Sequence, residues 1–182
     1  WYMQACNSST PYPHAMSLAT VSQEGMPSIR TVFLKHADRT GFVFFTNYQS
    51  PKARDIEHRP EVALLFLWQA LERQVTITGQ AVKITSADSA DYYATRSRGS
   101  QLGAIISPQS QVIPSRDYLD KKFRVTDEAY ANKAIERPEH WGGYCVKPNR
   151  IEFWQGRPSR LNDRFLYSTN GDESWTIQRL AP

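Results

Sequence analysis

The sequence predicts a mainly β protein with peripheral helices (α+β), its antiparallel strands curling into a small barrel. Three observations predict it. Five stretches of strand character follow one another over residues 16–84, mostly joined by turn chemistry. A helical, polar insert follows over 85–140, and strand character returns over 141–180. Successive strands with tight turns make an antiparallel meander, and a meander of this length closes on itself to hide its edges. The chain has 182 residues, 40% of them hydrophobic, which is enough for one domain with a real core. It has no internal repeat and no linker, so a single domain over 1–182 is expected.

Taken in order, residues 1–8 read as the tail of a helix, ended by Pro11 and Pro13. Residues 16–22 alternate, with Met16, Leu18 and Thr20 on one face, as a strand does. Gln23 to Pro27 is turn chemistry, 28–36 a second strand, 38–41 a second turn, and 42–46 an aromatic third strand. Ser50 caps a helix over 50–58, Pro51 suits its first position, and Pro60 stops it. The apolar run 61–68 has the length of a buried strand. Residues 71–84 alternate, with Val75, Ile77 and Ala81 on one face.

In the insert, Thr85 with Asp88 forms a capping box for a helix over 87–95, broken at Gly99. Residues 108–114 are polar loop. Ser115 caps a further helix in which Leu119 and Phe123 pack while Lys121 and Lys122 face water, and 127–140 reads as a surface helix and loop. Strands are expected over 141–147, 149–154, 164–168 and 175–180, the last two joined by a tight Asn170-Gly171 hairpin.

The net charge of +4 is a mild excess, spread out and interleaved with acids. A nucleic-acid partner calls for a clustered basic stripe, so small anionic ligands account for the excess better. Cys6 and Cys145 have no metal-ligand spacing and read as free thiols of a reducing, cytoplasmic compartment. The four histidines form no HxxxH or HxH pair, so no metal is expected. No apolar run reaches the roughly 18–20 residues that span a bilayer. The chain starts in mid-pattern at Trp1, so a segment before it is expected.

Several clusters could hold an anion. Residues 152–167, EFWQGRPSRLNDRFLY, read as a strand, a break and a second strand, with Arg157, Arg160, Arg164, Asn162 and Asp163 at the break. Guanidinium forks beside Trp154 suit a planar anionic ligand; spacing alone also fits a hairpin of solvated arginines. Thr46 and Asn47 followed by Ser50, Pro51 and Lys52 run a strand end into a helix N-terminus, which favours phosphate, or is an ordinary capped helix. Tyr92, Arg96 and Ser100 gather a phenol, a guanidinium and a hydroxyl on one side of a broken helix, either a phosphate site or surface polarity. Gln74 can donate to and accept from a heterocycle edge, or face solvent. Arg30 and Lys35 have opposite parity in one strand, so they face opposite sides. No GxSxG, HExxH or paired-carboxylate motif is present, so catalysis would rest on a cofactor.

These residues also stand in a familiar order. RTVFLK at 30–35, FTN at 45–47, LERQV at 71–75, YYATRSRGSQLGA at 92–104, QS at 109–110, WGGY at 141–144, EFWQG at 152–156, RLNDR at 160–164 and the terminal RLAP resemble the pyridoxine/pyridoxamine 5′-phosphate oxidase family. The resemblance implies an antiparallel split β-barrel of the FMN-binding type. It implies a homodimer with FMN at the subunit interface, no nucleic acid and no membrane, and a segment of several tens of residues before Trp1. It implies oxidation of pyridoxine or pyridoxamine 5′-phosphate to pyridoxal 5′-phosphate, with O2 reduced to H2O2 and a hydride passing from the substrate C4′ carbon to flavin N5. Carried over by position, the FMN contacts are Arg30, Thr31, Val32, Phe33, Leu34, Lys35, Phe45, Thr46, Lys52, Gln74, Gln109, Ser110, Trp154 and Arg164. The substrate contacts are Lys35, Tyr92, Arg96, Ser100, Arg160 and Asn162, with Arg160 and Asn162 catalytic.

Three positions depart from the family pattern. Asn162 stands where RLHDR has histidine, and it cannot titrate near neutral pH. Pro51 replaces an arginine before the helix lysine, leaving one cation fewer for the FMN phosphate. Tyr12 replaces an acidic residue. Weaker FMN retention is the expected consequence.

Overall fold

The computed structural model describes residues 1–131, 133–171 and 174–182. The chain falls into two compact units. The first comprises Trp1–Phe44, Asp55–Val82 and Cys145–Pro182; the second comprises Phe45–Arg54 and Lys83–Tyr144.

Helix α1 (Tyr2–Cys6) is followed by β1 (Ala15–Val21), β2 (Pro27–Phe33), β3 (His36–Asp38) and β4 (Gly41–Asn47). Helix α2 (Pro51–His58) leads to β5 (Glu61–Trp68) and β6 (Arg73–Lys83). Then come α3 (Ser86–Ala94), α4 (Arg98–Ile106), α5 (Arg116–Ala129), β7 (Trp141–Gln155), β8 (Asp163–Thr169) and β9 (Trp175–Leu180). The sheet order is β2-β1-β5-β6-β7-β4-β3, with β8 on β7 and β9 on β8. Pairs β1–β2, β1–β5, β3–β4, β5–β6, β7–β8 and β8–β9 are all antiparallel.

The expected alternation holds where one face is buried. Met16, Leu18 and Thr20 of β1 point inward, as do Val62, Leu64, Phe66 and Trp68 of β5 and Val75, Ile77 and Ala81 of β6. Period-two spacing puts each set on one face of its strand.

Several expectations are corrected. The strands do not form a simple meander: β4 lies between β7 and β3, and β1 pairs with β5. The reason is α2, which joins β4 to β5. A helix can carry the chain to a distant place in a sheet, whereas a tight turn cannot. The expected strand over 28–36 is two strands, because Leu34 N–H donates to the His14 carbonyl while Lys35 N–H donates to that of Val43. Lys35 therefore lies beyond β2, and the parity argument against Arg30 does not apply. The run 61–68 is buried on one face only, and Leu67 is 52% exposed. The two strands expected over 141–154 are one, β7, with Pro148 inside it. Gly79 of β6 lies against Lys147 and Pro148, where a Cβ would run into the Lys147 carbonyl. The strand thus tolerates proline where a neighbouring glycine gives its backbone room.

In the second unit the break after α3 falls at residues 95–97, and Gly99 sits inside α4. Thr85 caps α3 by accepting from Asp88 N–H, 3.0 Å, and Ser115 caps α5 by accepting from Tyr118 N–H, 3.2 Å. Both caps fall where expected. Leu119 and Phe123 are only half-buried, and no residue of α5 is buried. Helix α5 runs unbroken to Ala129, so the surface helix expected over 127–140 is its end; Asn132 of that stretch lies outside the described residues. In place of a two-residue turn, the β8–β9 connection runs from Asn170 to Ser174, with Asn170 N–H donating to the Ser174 carbonyl. Asp172 and Glu173 of that connection lie outside the described residues. Among the described residues, no helix is long and apolar enough to cross a membrane.

Candidate functional site

The second unit is built around an aromatic stack. Phe45 of β4 lies on Tyr92 of α3, 4.0 Å between ring centroids, and on Trp141 of β7, 5.2 Å, with interplanar angles of 19° and 13°. Tyr93 and Ala104 complete this buried cluster with Trp141. Arg137 holds the end of β7: one amino group donates to the Trp141 carbonyl, 2.5 Å, and the other to Ser86 Oγ, 2.6 Å.

Arg96 lies on this stack. Its guanidinium carbon is 4.4 Å from the centroid of the Trp141 ring and 5.5 Å from that of Tyr93. Burial lowers its pKa from the ordinary value, offset in part by Tyr93 and Tyr92. Its Nη1 atom is buried with no hydrogen-bond partner. A buried guanidinium donor without an acceptor costs free energy, about 1–3 kcal/mol for a polar group and more for a charged one. An anion would recover that cost. Arg96 opens on a cavity of about 240 Å³, lined also by Asn47, Ser100, Ser107, Gln109 and Trp141. Within the unit the structure thus brings Arg96 and Ser100 to one cavity, while the Tyr92 ring is committed to Phe45.

Lys52, at the start of α2, is 8% exposed. Its Nζ donates to Gln109 Oε1 at 3.1 Å, Ser50 Oγ at 3.3 Å and Thr46 Oγ1 at 3.4 Å, and Thr46 donates to Gln109 Oε1 at 3.0 Å. The ammonium and hydroxyl of the helix N-terminus therefore meet, and the Gln109 amide joins them. Ser50 is placed as a cap, since its carbonyl accepts from Arg54 N–H, but its hydroxyl donates back to the Asn47 carbonyl, 2.7 Å. Ser110 sits in the loop after α4 with φ of +67°.

The first unit holds the remaining candidates. Arg30 is well paired: its guanidinium donates to Leu18 O at 3.0 Å, Thr20 Oγ1 at 2.8 Å and Ser28 Oγ at 2.5 Å, with Asp55 at 3.9 Å. Thr31, Val32 and Phe33 follow on β2, Leu34 is buried, and Lys35 is exposed with its ammonium 5.4 Å from the Phe33 ring. Gln74 is half-buried on β6. Arg164 pairs with Glu152 across β7 and β8 at 2.7 Å and donates to the Ala181 carbonyl at 3.1 Å; the Glu152 carboxylate raises its pKa.

Trp154, Arg160 and Asn162 line one cleft of about 450 Å³, together with Leu67, Glu72, Arg73 and Arg157. The loop between β7 and β8 is tightly tied. Asn162 Oδ1 accepts from Arg157 N–H, 3.0 Å, and Asp163 accepts from Arg157 at 2.7 Å and Arg179 at 2.6 Å. Ser159 and Arg160 have φ of +59° and +61°. Left-handed backbone at residues with a Cβ costs roughly 1–2 kcal/mol each. Asn162 therefore works as a loop-closing acceptor in this chain.

Sequence reasoning missed Trp141, Ser107, Asp55, Glu152 and Arg73. WGGY marked Trp141 as part of a motif, but nothing in spacing told its stacking on Arg96. The carboxylate partners Asp55 and Glu152 come from long-range pairing and left no local signal.

Fold and site together define a mainly antiparallel β protein with a half-buried arginine that keeps one buried donor unpaired. Comparison with known proteins makes the class definite. Residues 3–129 match the family model for pyridoxamine 5′-phosphate oxidase, and residues 141–182 match that for the pyridoxine 5′-phosphate oxidase C-terminal dimerisation region. Pyridoxine/pyridoxamine 5′-phosphate oxidases of Rippkaea orientalis and Bordetella pertussis are 56% and 51% identical, each over 100% of this chain and 86% of its relative. The chain belongs to the pyridoxine/pyridoxamine 5′-phosphate oxidase family of enzymes. Among solved structures, PhzG from Burkholderia lata, in complex with tetrahydrophenazine-1-carboxylic acid, superposes with a TM-score of 0.94 at 27% identity, covering 100% of this chain and 89% of the other. A pyridoxamine 5′-phosphate oxidase-related, FMN-binding protein of Nostoc punctiforme shares the fold, with a TM-score of 0.79 at 18% identity over 100% of this chain and 94% of that one. The expected fold class, an antiparallel split β-barrel with peripheral helices, is the observed one.

Proposed function

We propose that the protein oxidises pyridoxine 5′-phosphate or pyridoxamine 5′-phosphate to pyridoxal 5′-phosphate with bound FMN, O2 being the final acceptor and H2O2 the by-product. The observation that carries this reading is the Arg96 guanidinium, half-buried on Trp141 with its buried Nη1 donor unspent. It fits a phosphate monoester, with Ser100 lining the same cavity. The second anion-ready set, Lys52, Thr46 and Gln109, fits the phosphate end of the flavin, and its ammonium is buried among hydroxyl and amide oxygens.

FMN would supply the two-electron chemistry, which the side chains named here do not provide. The chain's own work is binding and orientation. Arg96, Ser100, Tyr92 and Lys35 would hold the substrate, and Arg160 with Asn162 would orient its ring, so that the reacting groups meet at high effective concentration. Phe45, Gln109, Ser110, Gln74, Trp154, Arg164 and residues 30–34 would complete the flavin contacts. The reading takes residues 1–182 as one FMN-binding domain acting as a homodimer; the match to a dimerisation region supports the second part.

A second reading follows from the 0.94 superposition on PhzG: a flavoprotein oxidase for a different ring. Identity of 50–56% to oxidases of the B6 phosphates favours the first. The test is to release and identify the chromophore of the purified protein, then measure H2O2 with both phosphorylated vitamers. Yellow protein that makes H2O2 with neither of them overturns the proposal.

A further inference from the structure

The loop that carries Arg160 is gripped from outside by residues so far without a role. Gln155, the last residue of β7, uses both ends of its amide. Its Nε2 donates to the carbonyls of Leu71, 3.2 Å, and Glu72, 3.3 Å, while its Oε1 accepts from Arg73 Nε, 2.7 Å. Gly156 adds a backbone bond, its N–H donating to the Glu72 carbonyl at 2.8 Å. A Cβ at Gly156 would stand 2.9 Å from Glu72 Cβ, so this approach requires glycine. Arg73 is itself fixed: its guanidinium lies 4.7 Å from the centroid of the Trp1 ring and donates to Gln4 Oε1.

Two consecutive left-handed residues, Ser159 and Arg160, follow within five positions of Gln155. Such backbone persists only where its surroundings over-determine it. Asn162 and Asp163 close the far side of the loop. Gln155 and Gly156 close the near side onto the 69–72 turn. Only an amide both donates to two carbonyls and accepts from Arg73 here; a carboxylate has no donor and a thioether has neither function.

We propose that Gln155, oriented by Arg73, is a positioning residue that sets the loop so that Arg160 is presented at the cleft it shares with Trp154 and Asn162. The effect on turnover rests on the function proposed above; the grip on the loop does not.

The experiment compares the full chain with Gln155→Met, alone and in an Arg160→Ala background. Trypsin cleaves after arginine unless proline follows, so within the loop it cuts Arg160–Leu161 and spares Arg157–Pro158. Gln155→Met should raise the rate of that cut about tenfold, the loss of roughly one net hydrogen bond. It should lower kcat with pyridoxamine 5′-phosphate about tenfold and leave FMN affinity unchanged. In the Arg160→Ala background the substitution should cost no further kcat. An unchanged cutting rate overturns the proposal, and so does a kcat loss that persists without Arg160, since that is general weakening of the fold. If the parent chain oxidises neither vitamer, the proposed function falls and the cutting rate alone decides whether the clasp holds the loop.

Discussion

Arg96 and Arg164 are the same side chain used in opposite ways. Arg164 meets Glu152 at 2.7 Å and a backbone carbonyl at 3.1 Å, and the carboxylate raises its pKa. Arg96 lies on Trp141 with a buried amino group that meets nothing, and burial lowers its pKa. Arg30 resembles Arg164, with three hydrogen bonds and Asp55 nearby. A guanidinium paired in this way holds its own strands in register and has only a remaining edge to lend to a ligand. An unsaturated, desolvated one is costly until an anion arrives. Arg137 also leaves its Nε buried and unpaired, but both its amino groups are tied to the chain, so Arg96 on its cavity is the one placed to wait for a ligand.

The largest expected effect tests this directly. Arg96→Ala should lower kcat/KM for pyridoxamine 5′-phosphate by roughly a hundredfold to a thousandfold, since one or two charged hydrogen bonds at about 1.5–3 kcal/mol each are lost. The flavin content should not change. Arg96→Lys should recover little, because an ammonium neither stacks on Trp141 nor offers a fork. The comparison breaks if Arg164→Met, measured alongside, costs as much substrate affinity as Arg96→Ala. Next in size is Lys52→Met, which should weaken FMN binding about tenfold to a hundredfold by removing one charged donor. Flavin fluorescence titration measures it; the substrate KM of flavin-saturated enzyme should stay within about twofold.

Much of this was legible in the sequence. Strand faces followed from alternation: Met16, Leu18 and Thr20 are buried as spacing required. Both helix caps at Thr85 and Ser115 followed from local chemistry. What spacing could not supply was pairing between distant segments. The place of β4 beside β7 depends on where α2 delivers the chain, and a helix fixes no destination. Pro148 should have ended a strand, and it does not because Gly79, far away in sequence, makes room. At the site, the grouping of Arg96 with Ser100 followed from their position around a helix break, although the break lies at 95–97 and not at Gly99. The orphaned donor on Arg96 and the pairing of Arg30 were invisible, because both depend on what other strands bring.

A smaller effect concerns a cation the chain lacks. Pro51 occupies the first position of α2, one residue before Lys52. Pro51→Arg should tighten FMN binding about threefold to tenfold, a surface-type charge gain of roughly 1 kcal/mol. The gain should shrink in high salt, which screens exposed charges. If Arg at 51 pairs with a carboxylate of its own, as Arg164 does, the affinity will not move, and the substitution will have made a scaffold arginine instead of a ligand-binding one.

The smallest effect reads the scaffold end of the comparison by pH. Asp163 accepts from Arg179 and Arg157, and those hydrogen bonds hold its pKa below the ordinary carboxylate value. A carboxyl with a lowered folded pKa contributes stability that is complete above the unfolded value, about 3.9. That contribution disappears as pH falls through the lower, folded value. Between pH 7 and 5 the thermal midpoints of the parent and Asp163→Asn should therefore run parallel. Below about pH 4 they should converge, because protonation removes in the parent what the substitution has already removed. Convergence starting near pH 6 would point to a histidine, and would remove Asp163 from the set of carboxylates that saturate this chain's structural arginines.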